Sequence, residues 1–186
     1  MWLRGFSDLR ARQEGLEAFY GGPGWKAHAT AANETMDSVD NVLLLRPIRG
    51  LDLQGVARAA HGSTVTPPGL LVTTIYQLRE TAVGDFPDFF TRELEPALGQ
   101  SGIALLASYV TEHSPNTFPA LPVREGIDVF VWMALFSDER DRARRVADVE
   151  RSAAWRGGLE DALLQRLDAK PEVLRLTPTA SSLLHG

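Results

Sequence analysis

A chain of 186 residues, 44% hydrophobic and 23% charged, has the composition of a globular protein long enough for one substantial domain or two small ones. Its formal net charge of −5 offers no basic surface to nucleic acid, and the lack of cysteine rules out disulfides, thiolate metal sites and a cysteine nucleophile. No apolar run approaches the roughly 18 residues of a membrane span, and no basic segment followed by an apolar core opens the chain, so a cytoplasmic protein is expected.

Taken in order, WLRGF (2–6) is short and apolar enough for a strand. Ser7-Asp8 supplies an oxygen to cap a helix carrying Leu9, Leu16, Phe19 and Tyr20. GGPG (21–24) lacks the spacing and the lysine-serine end of a phosphate loop and reads as a hinge. Beyond it Trp25, His28, Ala29 and Ala32 share one helical face, and VLLL (42–45) predicts a strand that closes at Pro47. Residues 49–68 read as a linker, with room for a helical turn in LDLQGVARAA (51–60).

A strand is expected over 70–78, then a helix capped by Asp85 with Phe86, Phe89, Phe90, Ala97 and Leu98 on its apolar face. Pro96 should kink or shorten that helix, and Gly99 and Gly102 should stop it. IALLASYV (103–110) is the next strand. The connection 113–126, with Pro115, Pro119 and Pro122, is long enough for an excursion over a barrel mouth or a neighbouring subunit. DVFVWMALF (128–136) is a strand, Ser137-Asp138 a cap, and Ala143, Val146 and Ala147 mark a helix. Trp155, Leu159, Leu163 and Leu167 continue helically before a closing strand that ends by Pro178.

These elements repeat. Set 130 residues apart, Trp2 falls on Trp132, Phe6-Ser7-Asp8 on Phe136-Ser137-Asp138, Arg12 on Arg142 and Trp25 on Trp155. One residue later in register, Val42-Leu43 falls on Val173-Leu174 and Pro47 on Pro178. The second half therefore reads β-α-β-β-α-β, the split βαβ order, while residues 1–48 supply only the later half of such a unit. Either the chain starts within its own repeat, with a leading β-α-β missing, or the half-unit is completed by another subunit; the first is the expectation. In both cases unpaired edges predict self-association into a homo-oligomer.

The strands 128–136, 103–110 and 42–45 are apolar on both faces, which places them in a middle layer. Helices should cover one side and the other copy's sheet the other. With these patterns WLRGF (2–6), FYGGPGWKAH (19–28), AAN (31–33), DNVLLLRP (40–47), FVWMALF (130–136) and PEVLRLTPTASSLL (171–184), the chain resembles NIPSNAP-type proteins of the dimeric α/β-barrel superfamily. The resemblance implies an α+β, ferredoxin-like barrel with one complete unit (69–186) and half of another (1–48). It implies no established reaction for the NIPSNAP group. The wider superfamily includes cofactor-free monooxygenases, haem-degrading enzymes and chlorite-dismutase-like haem proteins.

Candidate ligand residues follow. Trp25 and His28 on one helical face suggest a pocket wall with His28 as acid, base or ligand, against a core histidine satisfied by a carbonyl. Asn33 either orients a ligand's polar group or decorates the helix end. Arg4, Tyr76, Tyr109 and Trp132 on strands either line a barrel interior or are ordinary sheet residues. The histidines (28, 61, 113, 185) show no metal spacing, so no metal and no cofactor is expected, and His61-Gly62-Ser63 is not a nucleophile elbow. A binder of a hydrophobic small molecule or a protein partner is the first reading. A cofactor-independent monooxygenase acting on an aromatic or polyketide-like substrate is the alternative, and a cavity with converging polar groups would separate the two.

Overall fold

Asp8 and Asp138 start the same local structure twice. In the computed structural model, which describes residues 3–36, 41–53, 56, 60 and 62–184, Asp8 Oδ1 accepts the Ala11 N–H at 2.7 Å and opens α1 (Leu9–Gly21). Asp138 Oδ1 accepts the Asp141 N–H at 2.7 Å and opens α5 (Glu139–Arg151). α1 ends where Gly22 turns extended (φ −74°, ψ 158°) and its N–H donates to Phe19 O. α5 ends at Ser152 (φ −63°, ψ 152°), whose N–H donates to Val149 O. Each pair lies 130 residues apart, so the repeat holds residue by residue through helix, cap and break. Trp2, His61 and His185, and much of the turn expected in 51–60, lie outside the described residues.

The chain divides into two units, Met1–Leu45 with Glu112–Gly126, and Arg46–Thr111 with Ile127–Gly186. The first holds α1 and α2 (Pro23–Asn33); Pro23, which has no N–H to leave unsatisfied, starts the second helix. The proline-rich connection 113–126 belongs to this unit. Arg12, buried on α1, donates to Asn116 Oδ1 at 3.0 Å and Thr117 Oγ1 at 3.2 Å. The amides of Glu112 and Arg124 donate to Leu44 O and Val42 O at 2.9 and 2.8 Å. The strand expected over 2–6 is not formed: Leu3 to Phe6 are irregular, and Leu3 and Phe6 are 46% and 39% exposed. A strand needs a partner ladder, and residues 133–136, their counterparts, have one along their whole length.

In the second unit, β2 (Leu70–Gln77), β3 (Leu105–Thr111), β4 (Val129–Phe136) and β5 (Glu172–Leu176) pair antiparallel, with β1 (Leu45–Arg49) at one edge. The order β1-β3-β4-β2-β5 contains the ferredoxin-like arrangement of four strands. The closing strand of the first copy is thus displaced from 42–45 to 45–49 and extends this sheet; it does not found a second one facing it. Pro47 sits within it, which an edge position tolerates.

Between β2 and β3 the helix runs as α3 (Phe86–Phe89), a wide π turn (Phe90–Leu94) and α4 (Glu95–Gln100). Pro96 removes one intrahelical donor and crowds the preceding turn, and the widened turn lies just before it. Asp85 makes no side-chain cap; its carboxylate pairs with Arg166 at 3.3 Å. Gly102 takes the left-handed conformation (φ +78°) that ends the helix, and Ile103 N–H returns to Leu98 O at 2.9 Å. After α5, a second π turn (Trp155–Leu159) with Gly158 at φ 116° leads into α6 (Glu160–Leu164).

Strand alternation sorts the core. Leu70, Val72, Tyr76, Phe130, Trp132, Ala134 and Phe136 face the helices and join Phe86, Phe90, Leu94, Leu98, Val149 and Leu163 in one buried cluster. On the other face Thr73, Val129, Val131 and Met133 are each 2% exposed and Ala107 is fully buried. The central strands are therefore buried on both faces, as their two-sided apolar pattern requires. Among the described residues no helix is long and apolar enough to cross a membrane.

Candidate apolar groove in the first unit

α1 presents Leu9, Arg12, Leu16 and Phe19 along one side, at helical spacing. Leu16 and Arg12 are buried, but Phe19 is 44% exposed. The irregular segment before α1 folds back against this side. Phe6 lies over Gly15, where an added Cβ would meet the Phe6 ring at 3.0 Å, so a larger residue would push the ring outward. The result is an open groove of about 260 Å³ lined by Arg4, Gly5, Phe6, Gly15, Leu16 and Phe19.

One wall continues into an aromatic cluster. The Arg4 guanidinium lies 4.8 Å from the Phe19 ring centre and 5.5 Å from that of Tyr20, and donates to the Tyr20 hydroxyl at 3.4 Å. Trp25, the first inward residue of α2, meets Tyr20 edge-on at 4.8 Å and Phe19 at 5.4 Å, and Phe118 stacks on Tyr20 at 5.6 Å. Ring pairs at such distances each contribute about 0.5–1.5 kcal/mol beyond their buried area, so the wall is rigid. Burial lowers the Arg12 pKa from its ordinary value, and its two neutral hydrogen-bond acceptors hold it in place without a carboxylate.

The seven residues singled out from sequence do not form one constellation. Arg4 and Trp25 meet in this wall through Tyr20. His28 and Asn33 are exposed on α2, since the inward stripe is Trp25, Ala29 and Ala32 and leaves His28 outside it. Tyr76 and Trp132 share the helix-facing side of the sheet in the second unit, both buried. Burial pushes the Tyr76 phenol up to about 12, partly opposed by the neighbouring Trp132 indole. That indole N–H finds no acceptor at hydrogen-bond distance, so the two rings are close without being bonded. Tyr109, half-buried, points to the opposite face, paired with Val131; burial raises its pKa and the Leu51 backbone opposes the shift. Among the described residues no group of three or more histidine and acidic side chains is placed to hold a metal.

Sequence reading missed Phe6, Gly15, Phe19, Tyr20 and Phe118 as groove and wall residues. A signal existed for two of them. At the repeat offset Gly15 stands where Arg145 does and Phe19 where Val149 does, an exchange of a large residue for a small one next to a small one for a large one.

The fold so built, a ferredoxin-like antiparallel sheet with helices on one face, is that of NIPSNAP family proteins. The chain matches a NIPSNAP family protein from Agrobacterium tumefaciens C58 with TM-score 0.52 and 16% identity, over 68% of this chain and 98% of that one. A NIPSNAP-like domain protein from Burkholderia xenovorans matches with TM-score 0.48 and 22% identity, over 61% and 88% of the two chains. A Fusobacterium nucleatum protein, named only provisionally as a monooxygenase, matches with TM-score 0.44 and 7% identity over 88% and 64%. The last two are too loose to argue from. No family model matches the sequence, and no curated protein is similar to it.

Proposed function

We propose that the chain is a non-catalytic binding protein of NIPSNAP-type fold, holding a hydrophobic small molecule or the apolar side chains of a protein partner in the groove of its first unit. One contrast carries this reading. The sheet of the second unit is filled on its helix-facing side by Phe86, Phe90 and Phe130, each 1% exposed or less. The first unit leaves Phe6 and Phe19 open around a groove walled by stacked rings. Exposed aromatic surface bounded by polar residues is where apolar partners bind. The groove brings no converging acid, base or metal ligand, which speaks against the monooxygenase alternative.

Two further elements belong to the proposal. The chain acts in the cytoplasm, and it self-associates through its sheet edges, where Ile48 on β1 and Val173 on β5 are 45% and 43% exposed. Titration with the apolar dye 8-anilinonaphthalene-1-sulfonate tests the groove. Saturable enhancement that a Phe6→Ala/Phe19→Ala double variant loses is expected; a dye response identical in the two proteins would overturn the reading. Light scattering tests the edges, and a monomer would remove self-association from it.

A further inference from the structure

The repeat sets two guanidinium groups in equivalent places and supplies an anion to only one of them. Arg12 and Arg142 are each the fourth residue of a helix opened by an aspartate cap. Arg142 is neutralised within its own helix, where its Nε and Nη2 donate to Glu139 Oε1 at 2.9 and 2.7 Å. In the place of Glu139 the first copy has Leu9, whose side chain accepts nothing. Arg12 is nevertheless buried, at 6% exposed, where Arg142 is half-buried. Its Nη1 donates to two neutral oxygens, Asn116 Oδ1 at 3.0 Å and Thr117 Oγ1 at 3.2 Å. Both are tied down in turn: Asn116 Nδ2 donates to Leu121 O at 2.9 Å, and Thr117 Oγ1 donates to Leu9 O at 3.2 Å. The other edge of the guanidinium, Nε with Nη2, donates to nothing among the described residues, and neither nitrogen is sealed from solvent. Asp8, one turn earlier, accepts the Ala11 N–H with its Oδ1.

We infer that this open edge of Arg12 is a binding site for the carboxylate of an aliphatic or aromatic acid. A guanidinium keeps its proton, so the buried charge persists and favours an anion beside it. Asn116 and Thr117 fix the plane of the group without cancelling its charge, which leaves a pre-oriented pair of donors for two parallel bonds to one carboxylate. The second copy shows the chemistry that satisfies the same two nitrogens, a carboxylate on Nε and Nη2. A phosphate would call for further donors around its remaining oxygens. The neighbours of Arg12 one turn away on this side of α1 are Leu9 and Leu16, which offer none and suit the hydrocarbon part of an organic acid. Arg12 does not line the apolar groove, so occupancy of one site does not require the other.

The probe is sodium benzoate, titrated into the nitrogen-15-labelled protein at constant ionic strength, with the Arg12 Nε–H resonance followed by NMR and assigned by its loss in Arg12→Gln. A saturable downfield shift is expected. Leu9→Glu returns to the first copy the carboxylate that the second has: the resonance should then stand at its shifted position without benzoate, and benzoate affinity should fall about tenfold. Leu9→Met, which adds no acceptor, should keep the full response. Far-UV circular dichroism checks the helices. If Arg12→Gln unfolds, the Leu9 pair assigns the resonance and decides, because Leu9 is half-buried and lends only its backbone carbonyl to Thr117. No shift, or a shift that Leu9→Glu leaves intact, overturns the site. Sodium chloride or inorganic phosphate acting as strongly as benzoate overturns the carboxylate as its ligand. Loss of the response in Phe6→Ala/Phe19→Ala would place benzoate in the groove and overturn the inference while leaving the groove reading in force.

Discussion

Phe6 and Phe136 hold the same place in the repeat, each two residues before an aspartate that caps a helix, yet one is 39% exposed and the other 3%. Phe19 and Val149, equivalent in position but not in size, differ as widely, at 44% and 4%. The local programme is identical and the burial is not. Caps and helix breaks need only their own few residues, whereas burial needs a partner surface, and at Phe136 and Val149 the second unit brings one, in α3 and α4. The largest test of this difference is the pair of truncations. Phe136→Ala should cost about 3–5 kcal/mol of unfolding free energy, the range for deleting a buried aromatic side chain. Phe6→Ala should cost less than about 1 kcal/mol, as for surface changes. Urea unfolding followed by circular dichroism measures both, and equal losses would mean that the first unit closes over Phe6 after all.

A second difference lies in the tryptophan helices. His28 continues α2 without interruption, while its counterpart Gly158 adopts φ 116° inside the π turn that follows Trp155. Exchanging the two residues sharpens the contrast. Gly158→His forces a residue with a Cβ into a positive-φ conformation that favours glycine and should cost about 1–3 kcal/mol. His28→Gly, in a regular exposed turn, should cost about 0.5–1 kcal/mol through backbone entropy. Thermal unfolding of the two variants against the parent reads the order, and a larger loss from His28→Gly would mean that this histidine packs or bonds beyond its helix.

The caps should show no such asymmetry. Asp8→Ala and Asp138→Ala each remove a 2.7 Å carboxylate-to-amide bond and should each cost about 1 kcal/mol. A marked inequality would break the claim that the copies share one local programme.

What the sequence disclosed follows the same line. The Asp8 and Asp138 caps, the helix breaks, the two-sided strands and the split βαβ order were legible because they rest on spacings of a few residues or on alternation; the cap expected at Asp85 was not formed, its carboxylate going to Arg166. The strand expected over 2–6 was not formed at residues 3–6, although Phe6 matches Phe136 of β4, because a strand exists only in a ladder and pattern alone does not supply the neighbour. The 113–126 connection reads as an excursion over a barrel mouth or a neighbouring subunit; its attachment within the first unit depends on Arg12 reaching Asn116 and Thr117, a contact over a hundred residues in sequence. His28 was drawn as a pocket residue from a helical face four residues wide, but the turn of α2 carries only Trp25, Ala29 and Ala32 inward. The groove residues stayed hidden because single phenylalanines and a glycine in a helix carry no chemical signature. Their meaning emerged from comparing the two copies.

The smallest expected effect is electrostatic and falls on the second copy alone. Position 141 is an aspartate where the first copy has Ala11. Asp141 accepts hydrogen bonds from Arg145 at 2.8 Å and Arg144 at 2.7 Å, and these, the Arg145 bond foremost, hold its carboxyl down at about 2, below its ordinary 3.8. A carboxylate whose folded-state pKa is depressed stabilises the fold above its unfolded value and loses that contribution as pH falls through the folded one. The Asp141 contribution should therefore be complete above about pH 4 and decline towards pH 2. Asp141→Asn should lower the melting temperature at neutral pH slightly and flatten its fall across that window. The Ala11→Asp variant of the first copy should gain nothing comparable, because Gly15 and Glu14 stand where Arg145 and Arg144 would be needed. If Ala11→Asp reproduced the acid-dependent gain, the charge ladder of α5 would be a generic helix N-terminal effect and not a device particular to the second copy.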